Sequence, residues 1–389
     1  MNTNYTKRRT LLILTRPILV NWARVMCSNS AIPGKCVPAF CAALALSTTF
    51  HFAGKVASKE LVPISQQWCV FADRAACVRF GGIDEKVLPL RVEWAITSNG
   101  RTISRGKSTV SELLECGSDD VSVANAHLQD KHICRAFDLQ ITAPRLRKGI
   151  SFSFQLQVSA VVGGESRKFS HALHVFSEDP FSGKESLLNQ AELQLFDNLG
   201  DTKRMFQRTK IPHRVLPNLA AIDRAEAGIL VVGEGISFLE NPNLAATLVQ
   251  AANRGIRVLC FAPSEGEFPI DSQNLRPKTT LSQITLGHES LSKRFSKQFD
   301  PLVSKSSLEI KARNDSAVLQ VAKPNGWDWA ILEYAAPEPH EQPGQLIICC
   351  GEVISRWEES PVPRYLFAQL VEDMRAHSSA KDQPNDYLK

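Results

Sequence analysis

Ala227-Gly-Ile-Leu-Val-Val-Gly-Glu-Gly235 decides how this chain folds. Branched apolar residues at both odd and even positions describe a strand buried on both faces. Gly233 and Gly235 end it. Apolar residues then recur at helical spacing (Leu244, Leu248, Ala251, Ala252) over residues 243–253, and Gly255 supplies the stop. Ile256-Arg-Val-Leu-Cys-Phe261 repeats the buried-strand pattern. Strand, helix and strand make a βαβ unit, which requires a parallel sheet with covered faces.

The alternation continues on either side of this unit. Glu192-Leu-Gln-Leu-Phe-Asp197 predicts a strand, followed by a short helix over 202–209 with Asp201 as its N-cap. His213-Arg-Val-Leu-Pro217 predicts a second strand and 219–225 a second helix. Leu346-Ile-Ile-Cys-Cys350 is a late buried strand, and 363–377 a closing helix with Tyr365, Leu366, Leu370 and Met374 inward. The pattern thus predicts a mostly parallel α/β domain over 191–377, with a disordered polar tail at 378–389. Upstream, Leu90-Arg-Val-Glu-Trp-Ala-Ile96 alternates strictly and Ser98-Asn-Gly-Arg101 suits a two-residue hairpin. Residues 137–142, 151–158 and 171–176 are strands of the same kind. Short alternating strands punctuated by turns predict an antiparallel β-sandwich over 59–181, with Trp94 in its core. Glu178-Asp-Pro-Phe-Ser-Gly183 breaks the pattern and 182–190 reads as a linker.

The net charge of +5 over 389 residues is unevenly placed. Residues 1–58 hold Lys7, Arg8, Arg9, Arg16, Arg24, Lys35 and Lys55 and no acid, and without these seven the remainder stands at −2. Overall charge therefore gives no support to a nucleic-acid-binding surface. The same segment carries an apolar run over 37–52 followed by Val56-Ala57-Ser58, which fits an export leader, with Met26 as an alternative start. The run is shorter than the roughly 20 residues of a spanning helix, so the reading is an exported protein, periplasmic or extracellular. A membrane anchor results only if the leader is retained. Of the ten cysteines, Cys69, Cys77, Cys116 and Cys134 are an even set compatible with two disulfides in any of three pairings. The absence of any Cys-x-x-Cys pair gives no metal site of the usual spacing, and no cofactor is implied.

Leu195-Phe-Asp197, Asp201-Thr202, the stretch 227–235 and Ala252-Asn-Arg-Gly-Ile-Arg-Val-Leu259 resemble the class I glutamine amidotransferase-like, flavodoxin-like domain. That domain is an accessory unit of large bacterial glycosidases of the β-galactosidase type. Gly344-Gln-Leu-Ile-Ile-Cys349, Glu359-Ser-Pro-Val-Pro-Arg-Tyr-Leu-Phe367, Val92-Glu-Trp94 and Val175-Phe-Ser-Glu-Asp-Pro-Phe181 fit the same module and the sandwich before it. The likeness covers about residues 60–377 and implies a three-layer α/β domain. The family's catalytic residues do not carry over. An amidotransferase of this class needs a Gly-x-Cys-x-Gly elbow and a later His-x-Glu, whereas the strand end here is Cys260-Phe-Ala-Pro-Ser-Glu-Gly266, and none of His288, His340 and His377 begins such a motif. A glycosidase needs two positioned carboxylates, supplied in the large enzymes by a barrel for which this chain has no room.

Several features remain. Gly233, Glu234 and Gly235 stand at a strand's carboxyl end, where open α/β sheets bind ligands, although Glu234 would repel a phosphate. Ser264 is a conceivable nucleophile without an identifiable base. Glu265 and Glu267 at the next strand end would face Glu234, as a carboxylate cluster for a cation or sugar hydroxyls or as a solvated loop. Trp327 and Trp329 share one face of an extended segment, where they either stack on a sugar or are buried. Trp357, among Arg356, Glu358 and Glu359, reads as exposed. The leading expectation is a non-catalytic binding or assembly module associated with carbohydrate processing, partnered by carbohydrate or by a glycosidase or envelope protein, and compatible with a homo-oligomer. The alternatives are a divergent hydrolase using Ser264 or the Glu234, Glu265 and Glu267 cluster, and an envelope scaffold.

Overall fold

A computed structural model of the chain describes residues 61–64, 67–81, 88–115, 135–162, 164–269, 281–287, 299–304, 306–314, 317–322, 329–334 and 344–379. The expected leader with Met26, the tail beyond 379, and Trp327, Cys116 and Cys134 lie outside the described residues. The described residues from 61 to 379 form one compact unit, a mixed α/β structure rich in strand.

Among the described residues, the elements of its first part are all strands. These are β1 (Val62–Pro63), β2 (Cys69–Phe71), β3 (Ala75–Gly81), β4 (Leu90–Ser98), β5 (Arg101–Val110), β6 (Leu114–Glu115), β7 (Arg135–Thr142), β8 (Ser151–Val162) and β9 (Glu165–Phe176). One sheet has the order β1-β3-β7-β6 and the other β2-β9-β8-β4-β5. All pairings are antiparallel except β2 with β9. Alternation decides which residues go inside. Val78, Phe80, Leu139 and Ile141 of the first sheet meet Val92, Trp94, Leu156 and Leu173 of the second in one core. Trp94 is buried there as its aliphatic neighbours predict.

The second part runs α1 (Glu185–Ala191), β10 (Gln194–Phe196), α2 (Asp201–Arg208), β11 (Arg214–Val215), α3 (Leu219–Asp223), β12 (Ile229–Val232), α4 (Leu244–Asn253), β13 (Arg257–Phe261), β14 (Glu267–Pro269), β15 (Leu281–Gly287), β16 (Glu309–Asn314), β17 (Ala317–Ala322), β18 (Trp329–Tyr334), β19 (Gly344–Cys349) and α5 (Pro361–Ser379). The main sheet has the order β11-β10-β12-β13-β19-β18-β15. Its first five strands are parallel, and β18 and β15 extend it antiparallel. Parity assigns each side chain to a layer. Leu230, Val232, Val258, Cys260, Leu346 and Ile348 face α3 and α4, while Ile229, Val231, Leu259, Phe261 and Ile347 face α2 and α5. The apolar runs lack polar gaps because both faces are covered. β14, β16 and β17 form a small separate sheet.

Two local expectations change. Residues 185–190 of the stretch read as a linker form α1 together with Ala191, because Leu187, Leu188 and Ala191 find buried places. The cap of α2 is Asp197 rather than Asp201: its carboxylate accepts from the N–H groups of Gly200 (2.9 Å) and Lys203 (2.8 Å), and Asp201 is the first helical residue. A side-chain acceptor six residues before N3 does the work of an N-cap.

The α/β part is fixed to the strands before it through the start of α5 and the loop at 299–302. The Tyr365 hydroxyl lies 2.7 Å from the Ser177 hydroxyl, and Arg364 donates to the Glu178 carbonyl (2.9 Å) with its guanidinium over the Phe71 ring. Asp300 accepts from the N–H groups of Trp68 (2.9 Å) and Cys69 (2.7 Å). Burial raises the Asp300 carboxyl pKa above its ordinary value, and these donors lower it only in part. The folded protein thus holds this proton to higher pH than the unfolded chain does. Asp300 therefore contributes more to stability below the ordinary carboxyl pKa and loses that part as pH rises through the shifted one. In urea unfolding from pH 3 to 7, the stability gap between wild type and Asp300→Asn is expected to shrink with rising pH. A constant or widening gap refutes it.

Candidate functional site

At the carboxyl edge of the main sheet, Glu234 follows β12 in the turn Gly233-Glu-Gly235. Its backbone N–H donates to the buried Thr202 hydroxyl (3.0 Å). Its carboxylate turns across the sheet toward the loop after β19. Oε2 accepts from the N–H groups of Val353 (2.8 Å) and Ile354 (2.6 Å), and Oε1 from that of Ser355 (3.1 Å). Three consecutive amides form a concave anion site, and Glu234 fills it. Gly233 stands against Asp197, leaving no room for a Cβ, and Gly235 has φ +83°. The turn is shaped by the chain's own packing, and its carboxylate is consumed within the protein.

Glu265, on the neighbouring loop, and Glu267, at the start of β14, are exposed. Glu265 accepts from the Ser237 hydroxyl at 3.4 Å, a weak bond at best. Glu234 does not join these two: among the described residues, no three of His, Cys, Asp and Glu come together as metal ligands. Ser264 is exposed, and its backbone ties the loop together: its N–H donates to Ile236 (3.2 Å) and its carbonyl accepts from the N–H (2.9 Å) and hydroxyl (3.0 Å) of Ser307. The strand end before it makes a sharper turn than the sequence suggests. Ala262 has φ +32°, the left-handed region that L-residues rarely enter, and its N–H donates to Cys349 at 2.5 Å. The residue at this turn carries a methyl group and no nucleophile. Burial pushes the thiols of Cys260 and Cys349 up, so neither is a thiolate at neutral pH.

Among the tryptophans, Trp329 is buried in β18. Trp357 is buried as well, at 2% exposure, its ring edge-on to Phe367 at 5.8 Å. Glu358 and Glu359 are exposed while the loop tucks the indole beneath α5, which corrects the exposed reading. Cys69 is buried, and Cys77 is exposed beside Asp138.

A different surface holds an open site. The outward face of the five-stranded sheet forms a trough of about 1290 Å³. Register defines two adjacent rungs across it. One runs Lys107, Glu93, Ser159, Lys168, and the other Arg105, Ala95, Gln157, Ser170. The Lys107 ammonium pairs with Glu93 at 2.6 Å, and the Gln155 amide donates to the Ser170 hydroxyl at 2.9 Å. Arg105 and Lys168 form no ion pair among the described residues. The indole of Trp94 lies on the opposite, inner face, where an added Cβ at Gly106 would meet it at 2.6 Å. Alternation in 90–96 already marks Glu93 and Ala95 as outward. The sequence lacks the register that brings Lys107 and Lys168 onto the same rung.

No family model matches the chain, and no curated protein matches it.

Proposed function

We propose that this chain is a non-catalytic binding module associated with carbohydrate processing, and that the trough on its five-stranded sheet is the ligand face. The observation that carries this reading is the contrast between two sites. The carboxyl edge of the α/β sheet is occupied by the chain's own contacts, with Glu234 spent on the 353–355 amides. The trough instead offers hydrogen-bonding and charged groups to solvent.

The finer fold belongs to the same proposal. The first five strands of the main sheet, counted in chain order from β10, stand as 2-1-3-4-5, the order of flavodoxin-like sheets. Two sheets sharing one core in front of them support a β-sandwich. Together they support an amidotransferase-like accessory domain carried behind a sandwich. Ala262 at the sharp turn, and thiols kept protonated by burial, favour a silent domain over a hydrolase. Export through the leader at 1–58 completes the reading.

The test is binding of the purified chain to a panel of oligosaccharides and polysaccharides, with reducing-sugar release followed in the same wells. Binding without release is expected. Release that persists through repurification and disappears with Ser264→Ala overturns the proposal, as does failure to bind any glycan.

A further inference from the structure

We propose that the trough binds an anionic polysaccharide, a linear chain of carboxylate-bearing sugars lying across strands β5, β4, β8 and β9. This rests on the reading of the trough as a glycan-binding face and adds its ligand class.

Charge placement comes first. Cations stand at both rims, Arg105 and Lys107 on edge strand β5 and Lys168 on β9, three strand spacings away. At about 4.8 Å per spacing, the rims are roughly 14 Å apart, long enough to engage successive units of one polymer. Among the described residues the only acid lining the trough is Glu93, and Lys107 neutralises it. Arg105 and Lys168 keep their charges for a ligand.

The floor comes second. Between the rims lie Ala95, Gln157 and Ser159, and Ser170 stands beside Lys168 on β9, so the floor combines small side chains with amide and hydroxyl groups. Small residues let a chain of rings approach the sheet. Amides and hydroxyls both donate and accept, so they match sugar hydroxyls in either orientation, while a guanidinium forks onto a carboxylate.

The absence of aromatic rings on this floor decides against two other occupants. Trp94 and Phe169 border the trough, but Trp94 is buried in the core on the inner side of the sheet and Phe169 packs against that core. Neutral sugars are held largely by stacking on exposed rings, and single-stranded nucleic acid by stacking of bases. An aromatic-free floor between cations favours a ligand whose charge lies on its sugars. Arg and Lys on a long edge strand also discourage edge-to-edge pairing. β2 pairs with β9 only at 174–176, so the same role extends to Lys168, and the loss of polygalacturonate affinity in the double variant separates ligand contact from edge protection.

Affinity electrophoresis and titration calorimetry with polygalacturonate, dextran and single-stranded poly(dT) test this on the purified chain. Polygalacturonate is expected to bind, to weaken as salt rises, and to lose at least tenfold in affinity in the double variant Arg105→Ala/Lys168→Ala. Glu93→Gln is expected to strengthen binding two- to threefold, because it removes the opposing charge and releases Lys107. All three positions are exposed, so melting temperatures should stay close to wild type and separate a binding loss from unfolding. Equal affinity for dextran, equal affinity for poly(dT), or unchanged polygalacturonate binding by the double variant overturns the proposal. If dextran binds and Gln157→Ala abolishes it, the anionic class fails while the binding-module reading stands. If nothing binds, both fail.

Discussion

Replacing Gly344 with alanine is expected to cost more than about 4 kcal/mol, enough to leave the chain largely unfolded or insoluble. Gly344 opens β19, opposite Tyr334 of β18, and the last turn of α4 crosses directly over it. A Cβ there would land almost on the carbonyl oxygen of Ala252 and 3.1 Å from its Cα. The obstacle is backbone, so rotamer changes give no relief. Helix α4 is itself held by Leu248, Val249, Ala251 and Ala252, all fully buried, and moving it away would open a cavity along its length. Gly106 is the useful contrast. The nearest atoms its Cβ would meet belong to the Trp94 indole, a side chain and not backbone, so Gly106→Ala should cost much less. Urea unfolding followed by far-UV circular dichroism checks the difference, with Ala252→Gly as a control that should not rescue Gly344→Ala. A Gly344→Ala protein within 1 kcal/mol of wild type refutes the close packing of α4 on β19.

How far the sequence discloses this structure depends on what each segment does. β12, β13 and β19 are legible because burial on both faces leaves apolar residues at both parities. β4 and β8 are legible for the opposite reason, since one wet face imposes strict alternation. β15 is not. Its residues 281–287 are half exposed along their length and show neither pattern, because it is the outer strand of the main sheet and little covers it. Its antiparallel pairing with β18 is fixed by register, which no local window contains. Trp357 fails for a related reason. Polarity of its immediate neighbours describes the loop's outer side, and the indole is placed by Phe367 in a helix further along. The trough divides in the same way. Its floor at Glu93 and Ala95 can be read from alternation, and its cationic rims depend on the strands that pair alongside.

Glu234 carries the second large effect, and it separates a structural role from a ligand-binding one. The carboxylate accepts three backbone N–H groups at 2.6 to 3.1 Å, all from the loop that joins β19 to α5. Bonds to an ionised acceptor contribute more than neutral ones, and removing the acceptor leaves donors without partners. Val353 and Ile354 are buried, so water cannot easily replace the carboxylate at their amides. Glu234→Ala is therefore expected to cost about 3 kcal/mol in urea unfolding. Glu234→Gln should fall between the two, because one amide oxygen remains as acceptor while the NH₂ group faces donors. The loop also carries Trp357 beneath α5 and leads into the Arg364 and Tyr365 contacts with the first part of the chain. Loosening it should raise hydrogen exchange at 353–357 and at the start of α5 before the rest of the sheet responds. Glycan binding at the trough should be unchanged in protein that remains folded, since Glu234 lies in the α/β part and the trough on the sheet before it. A Glu234→Ala protein of undiminished stability that loses ligand affinity would reverse the assignment, making the sheet edge the binding site and the trough a solvated face.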